Sequence, residues 1–390
     1  MVFSDQLRFH LLSIPHTVTG SEWSVCPFTT KVWKFAKMMK SRGHHIIHYG
    51  HEHSKVDCDE HVTLITNEDF NTAYGDYNWR EKSLYHFANT GDHCHKKFNT
   101  LAVVEVKKRL QTKDFVLCFW GSGHMTAGME LAKDERAIVV EPGVGYNIDQ
   151  CFAPYKVFES YAHRHQYTGF KNDQTPSWYD GVVPLACDKD QFTVSKVKED
   201  YFLYIGRIIN DKGLDKIIVA CNHLGVRLKV AGQPAENLYR LGVPITDNIE
   251  YVGLVGVEDR RDLMSKAKGF ICLSSYIEPF GSAIVEAMMS GCPVITPDWG
   301  AFTETVEHGK TGYRIRNGDQ LIWAIENIDK IDPGVCREWA VKNYGLDRVS
   351  RMFEDYFYSL KLNLSYEWGW WTLSDERTHL DYLVKDSSML

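Results

Sequence analysis

The 390-residue chain lacks a surplus of positive charge: 44 Lys and Arg face 51 Asp and Glu, a formal net charge of -7. A nucleic-acid binder would carry a basic excess, so that class is excluded. No apolar run approaches the roughly 20 residues that span a bilayer. The opening MVFSDQLRFHLLSIPH has no basic stretch leading into a long apolar one, so no secretory leader is expected. Without a leader, the glycosylation match Asn363-Leu364-Ser365 reads as unused. The ten cysteines form no CxxC pair, and Cys118, Cys221 and Cys272 sit in apolar runs. Buried reduced thiols in a cytoplasmic protein are expected, not a disulfide framework. No repeat or low-complexity tract occurs. What remains, 44% hydrophobic and 24% charged residues, is ordinary for a soluble globular protein. The length suits two domains.

Short apolar runs alternate with helical patterns. LRFHLLSI (7–14), HHIIHYG (44–50), FVLCFWG (115–121) and AIVVEPG (137–143) read as strands. FTTKVWKFAKMMKSRG (28–43) and HMTAGMELAKD read as helices. The pattern lapses over 151–195, which is rich in Tyr, His, Asp and Pro. It restarts with YFLYIGR (201–207), RLKVAG (227–232), NIEYVG (248–253), GFICLSS (269–275) and PVITPD (293–298). Between most of these lie the helical stretches LDKIIVACNHL, VEDRRDLMSKA and GSAIVEAMMSG. Strand–helix alternation predicts an α/β chain of two doubly wound parallel units. The expected domains are 1–190, 191–360 and a C-terminal segment, 361–390.

Ligands of such sheets bind beyond the carboxyl ends of the strands. Three segments fall there in the second unit: GRIINDKG, AGQP and SSYIEPFG. In EPFGSAIVEAMMSG, a helix starting near Gly281 offers free N–H groups and a positive dipole end to a phosphate. Ser282 and Glu286 share a face, and Glu286 lies roughly 6 Å further along. That is the distance from a nucleotide phosphate to its ribose diol, which a carboxylate can hold with two hydrogen bonds. Glu278 precedes the helix, on the side where a nucleotide-sugar carries its sugar. Arg207 and Lys212 supply cations for a diphosphate, so leaving-group charge is stabilised without a metal.

GRIINDKG, AGQP, EPFGSAIVEAMMSG and PVITPDWG-AFTETVEHGKTGY together resemble the retaining GT-B glycosyltransferases of family 4, with Glu278 and Glu286 as the E-x7-E element. The resemblance implies a GT-B fold: two Rossmann-like domains facing across a cleft, with the C-terminal segment crossing back to the first. It implies that Glu278 and Glu286 contact sugar and ribose, and that Arg207 and Lys212 contact the diphosphate. The backbone at Phe280, Gly281 and Ser282 would meet the donor, and Gly232 and Leu254, at neighbouring strand ends, join the donor-binding set. The first half departs from the family. Its first loop, PHTVTGSEWSVCP, has the single glycine Gly20. Where the family often has a sugar-side histidine, AIVVEPGVGY has Glu141, with His124 in FWGSGHM as a substitute.

The resulting expectation is a hexosyl or pentosyl transferase acting on a nucleotide-sugar donor and a glycan or glycolipid acceptor, with retention and with neither cofactor nor metal. A nucleotide-sugar epimerase and an inactive sugar-nucleotide-binding partner are the alternatives. HEHSKVDCDEH (51–61) and DHCHKK (92–97) hold His and Cys without finger-like spacing and read as solvated loops. In helix 28–43, Lys31, Lys34, Lys37 and Lys40 lie opposite an apolar face. A solvated helix face is the simpler reading and peripheral docking on an anionic membrane the sharper one. The aromatic run Tyr366 to Trp371 is expected to anchor the C-terminal segment.

Overall fold

A computed structural model describes residues 6–23, 26–75, 89–172, 177, 179–233 and 235–364. The run Tyr366 to Trp371, Ser365 of the glycosylation match and most of 361–390 lie outside these residues. The chain divides into two compact units. The first runs to Glu159, resumes over Arg164–Pro184 and resumes again at Val349. The second holds Ser160–His163 and Leu185–Arg348.

Among the described residues the first unit has seven parallel strands: β1 (Arg8–Leu12), β2 (His45–His51), β3 (Glu60–Ile65), β4 (Asp114–Cys118), β5 (Ala137–Val144), β6 (Tyr155–Phe158) and β7 (Gly181–Val182). Their order is β3-β2-β1-β4-β5-β6-β7. The C-terminal helix Leu346–Asn363 belongs with this unit from Val349 onward. Phe357 lies edge-on to Phe9 and Phe115, at 4.9 and 4.8 Å between centroids. Glu354 pairs with Arg42 and His44.

The second unit has six parallel strands: β8 (Phe202–Ile205), β9 (Leu228–Ala231), β10 (Ile249–Gly253), β11 (Gly269–Ile271), β12 (Val294–Pro297) and β13 (Gly312–Ile315). Their order is β10-β9-β8-β11-β12-β13. Strand order reverses between β8 and β11. The carboxyl ends of those two strands therefore border the crevice where such sheets bind ligands.

Three segments differ from the sequence reading. DHCHKK is helical, with Asp92 capping helix His93–Arg109 by accepting from His95 N, whereas HEHSKVDCDEH is mainly the loop that joins β2 to β3, as expected. Their polar groups are engaged with neighbours, His53 with Asn67, His93 with Asp69 and His95 with Asp92. Residues 151–195 hold β6, helix Tyr161–Phe170 and β7. In helix Pro27–Ser41, Lys31 and Lys34 are buried, Lys31 against Glu159, while Lys40 pairs with Asp59. That face is not a continuous row of exposed cations. All ten cysteines are free thiols, and eight are buried.

Candidate functional site at the strand-order reversal of the second unit

The loop after β8 turns through Asn210–Lys212 and Gly213. Gly213 has φ +67°, and a Cβ there would sit 2.3 Å from the Leu273 carbonyl oxygen just past β11. Only glycine allows that approach. Ser275 N donates to the Asp211 carbonyl at 2.8 Å, so the β8 and β11 loops are fixed to each other. This brings Lys212 Nζ onto Glu278 Oε1. Ser274 Oγ donates to the same oxygen at 2.5 Å. The Lys212 ammonium also lies 5.0 Å from the Tyr276 ring centre. Burial alone would lower the Lys212 pKa; the adjacent Glu278 carboxylate outweighs it and raises it above the ordinary lysine value.

Helix Ser282–Met289 begins a few residues later. Gly281 is its N-cap in the left-handed region (φ +84°), and no side chain caps it. That leaves a bare helix N-terminus just after Glu278, the partner of Lys212, in sequence. Phe280 is buried, its ring edge-on to Tyr344. Glu286, one turn into the helix, is 8% exposed. Its partner is Arg260 on helix Val257–Lys266, with Nε 3.3 Å from Glu286 Oε2.

The other expected donor residues lie at adjoining strand ends. Arg207 follows β8 and is exposed, and its carbonyl accepts from Tyr204 OH at 2.6 Å. Gly232 follows β9 at φ +152°; a Cβ there would fall 1.8 Å from the Gly206 carbonyl. Leu254 follows β10 and is 42% exposed. His124 lies in the first unit, fully buried in helix Gly121–Leu131. Its Nε2 donates to the Ser13 carbonyl at 2.8 Å and Nδ1 accepts from Trp120 N, so it ties together the loops after β1 and β4. In this structure its ring nitrogens are both occupied. Glu141 is buried in β5, accepting from Tyr146 OH, Phe152 N and Ala153 N.

Sequence reasoning did not single out Ser274, Tyr276, Arg260 or Glu304. Arg260 did carry a signal, since it lies four residues before the buried Met264 and so faces inward on its helix. Glu304 is 5% exposed and accepts from Tyr161 N and Ala162 N, where helix Tyr161–Phe170 starts. Nothing in AFTETVEHG points to a partner so distant in sequence.

Residues 188–335 match the family model "Glycosyl transferases group 1". An uncharacterised glycosyltransferase of Methanocaldococcus jannaschii is 26% identical over 207 residues, 47% of this chain and 50% of that protein. The O-antigen chain mannosyltransferase of Salmonella typhimurium is 24% identical over 187 residues, covering 44% of this chain and 50% of that one. The aligned region spans about half the length of these relatives. Solved structures align over nearly the whole chain. Sucrose-phosphate synthase from Thermosynechococcus elongatus gives a TM-score of 0.65 at 19% identity, covering 91% of this chain and 99% of that one. Anabaena HepE in complex with UDP-glucose gives 0.63 at 15% identity, covering 91% and 100%. Two parallel-sheet units of seven and six strands and these structural likenesses give the chain the GT-B fold, and its second unit, over residues 188–335, matches the group 1 glycosyl transferases.

Proposed function

We propose that this chain transfers a sugar from a nucleotide-diphospho-sugar to an acceptor hydroxyl on a glycan, glycoprotein or glycolipid, with retention of configuration and without a metal. The observation that carries the reading is the Lys212–Glu278 contact where strand order reverses, beside the uncapped helix at Gly281. A fixed cation and a helix N-terminus suit a diphosphate. A carboxylate held by Ser274 and Lys212 has lone pairs left for sugar hydroxyls. Arg207, exposed after β8, adds a second cation that can fork onto phosphate oxygens. Glu286 takes the ribose diol. Gly232 and Leu254 line the nucleotide side, and Phe280 holds the loop that presents Gly281 and Ser282.

The transfer then runs on positioning and electrostatics. Lys212, Arg207 and the helix N-terminus stabilise the charge that develops on the departing diphosphate. The acceptor hydroxyl attacks the face that the diphosphate vacates, and a phosphate oxygen takes its proton. Acceptor binding falls to the first unit. The UDP-glucose complex of HepE supports a nucleotide-sugar donor, on likeness of fold.

Turnover in this mechanism survives a chelator. Initial rates measured with and without EDTA are expected to agree within about twofold. Loss of activity with EDTA, restored by Mn²⁺ or Mg²⁺, would contradict the metal-free reading. The same assay, run over a panel of UDP-, GDP- and ADP-sugars, separates transfer from its alternatives. An epimerase would return altered donor, and an inactive binder would return the donor unchanged.

A further inference from the structure

We infer that Arg260 is a positioning residue for the nucleotide: it balances the charge of the nearly buried Glu286 and so keeps its carboxylate at the site, while leaving the hydrogen-bonding lone pairs to ribose. The inference rests on the nucleotide-sugar reading of this site. Glu286 is nearly buried, where an uncompensated carboxylate is costly. Arg260 supplies the opposite charge from a different helix, with a side chain 19% exposed. Its Nε lies 3.3 Å from Oε2 yet makes no hydrogen bond, so the attraction is coulombic and not directional. Among the described residues no hydrogen bond reaches the Glu286 carboxylate; the Ser290 hydroxyl takes only the backbone carbonyl of Glu286. A carboxylate with its charge balanced and its lone pairs unspent is ready for a vicinal diol. Arg260 also sits one turn into the helix that follows β10 and Leu254, and that helix packs on Ser282–Met289. It therefore links the strand end assigned to the nucleotide base with the residue assigned to ribose.

The test is calorimetry on wild type, Arg260→Leu, Arg260→Lys, Glu286→Gln and the Arg260→Leu/Glu286→Gln double variant. Each is titrated with UDP, GDP and ADP, and separately with inorganic diphosphate, which has no ribose. Thermal unfolding is followed for all five. Arg260→Leu is expected to weaken the preferred nucleoside diphosphate about tenfold or more, the scale of one lost charged contact. It should leave inorganic diphosphate within about twofold of wild type. Arg260→Lys should recover most of the loss. In the Glu286→Gln background, removing Arg260 should add little, because its target is gone. If Arg260→Leu does not fold, the Lys variant and the neutralised double variant carry the comparison. A ribose-dependent loss in Glu286→Gln with wild-type binding in Arg260→Leu would overturn the role of Arg260 and leave the nucleotide site standing. Equal weakening of inorganic diphosphate would mark Arg260 as structural and overturn it too. Wild-type affinity in Glu286→Gln would overturn the ribose assignment itself, and this inference with it.

Discussion

Lys212→Ala is expected to weaken nucleoside diphosphate binding by one to two decades and to lower turnover of the full donor further still. The binding loss follows from removing one charged contact to phosphate, about 1.5–3 kcal/mol. The additional loss comes from what stays behind. Lys212 neutralises Glu278, which is 7% exposed and also bonded by Ser274. Without the ammonium, an uncompensated carboxylate faces both the diphosphate and the sugar. The protein itself should suffer, because breaking a buried ion pair by deleting one partner costs up to about 3–5 kcal/mol. The Lys212 side chain is 17% exposed, so the lower end is expected. Arg at this position keeps the charge and should recover part of both losses. Binding calorimetry and thermal unfolding on Lys212→Ala and Lys212→Arg check this. Wild-type affinity for the diphosphate in Lys212→Ala would remove the phosphate assignment.

The second large effect is acid sensitivity, and it originates in the first unit. Burial pushes His16 and His48 down to about 3, and His51 and His124 down to about 4. These four are neutral when folded, whereas the unfolded chain takes up protons near pH 6.5. A depressed folded pKa gives stability that is present above the unfolded value and lost as pH falls towards the folded one. Each such histidine therefore contributes a slope of roughly 1.4 kcal/mol per pH unit below about 6.5. Glu141 opposes them. Burial pushes it up to about 7, against the bonds from Tyr146, Ala153 and Phe152. Its raised pKa adds stability as pH falls from 7 towards its unfolded value. Four groups outweigh one, so unfolding free energy should fall steeply between pH 6.5 and 5. Urea unfolding at half-unit pH steps measures this; a flat or rising profile would contradict it. Replacing Glu141 by Gln should steepen the loss, because the opposing group is removed.

Much of the second unit was legible in the sequence for a physical reason. Its strands are short apolar runs ending in glycine, serine or proline. The helical stretch LDKIIVACNHL coincides with Leu214–Leu224, held between two left-handed glycines, Gly213 and Gly225. The first unit hides more. β3 (EHVTLI) alternates a polar exposed face with a buried one, and the acidic, His-rich run before it masks that period. β6 and β7 are four and two residues long towards a sheet edge, too short for a periodic signal. At the site, the sequence placed Lys212 and Glu278 on separate loops, Lys212 at the diphosphate and Glu278 on the sugar side. It could not place them in contact, because that depends on β8 and β11 being neighbours, which is a property of the sheet order. Arg260 was passed over because VEDRRDLMSK reads as a polar surface helix. The one signal of its inward position is the spacing of four to the apolar Met264, which is core.

The central claim is that Glu278 serves the sugar and Glu286 the ribose, with a diphosphate between them. Calorimetry with the preferred nucleoside diphosphate on Glu278→Ala and Glu286→Ala tests it most directly. The diphosphate carries ribose but no sugar, so Glu286→Ala should weaken it by one to two decades, about 1.5–3 kcal/mol. Glu278→Ala removes the carboxylate that occupies the Lys212 ammonium, so it should bind the same ligand as tightly as wild type, or more tightly. Equal weakening in the two variants would contradict the account and make Glu278 a structural residue of its loop.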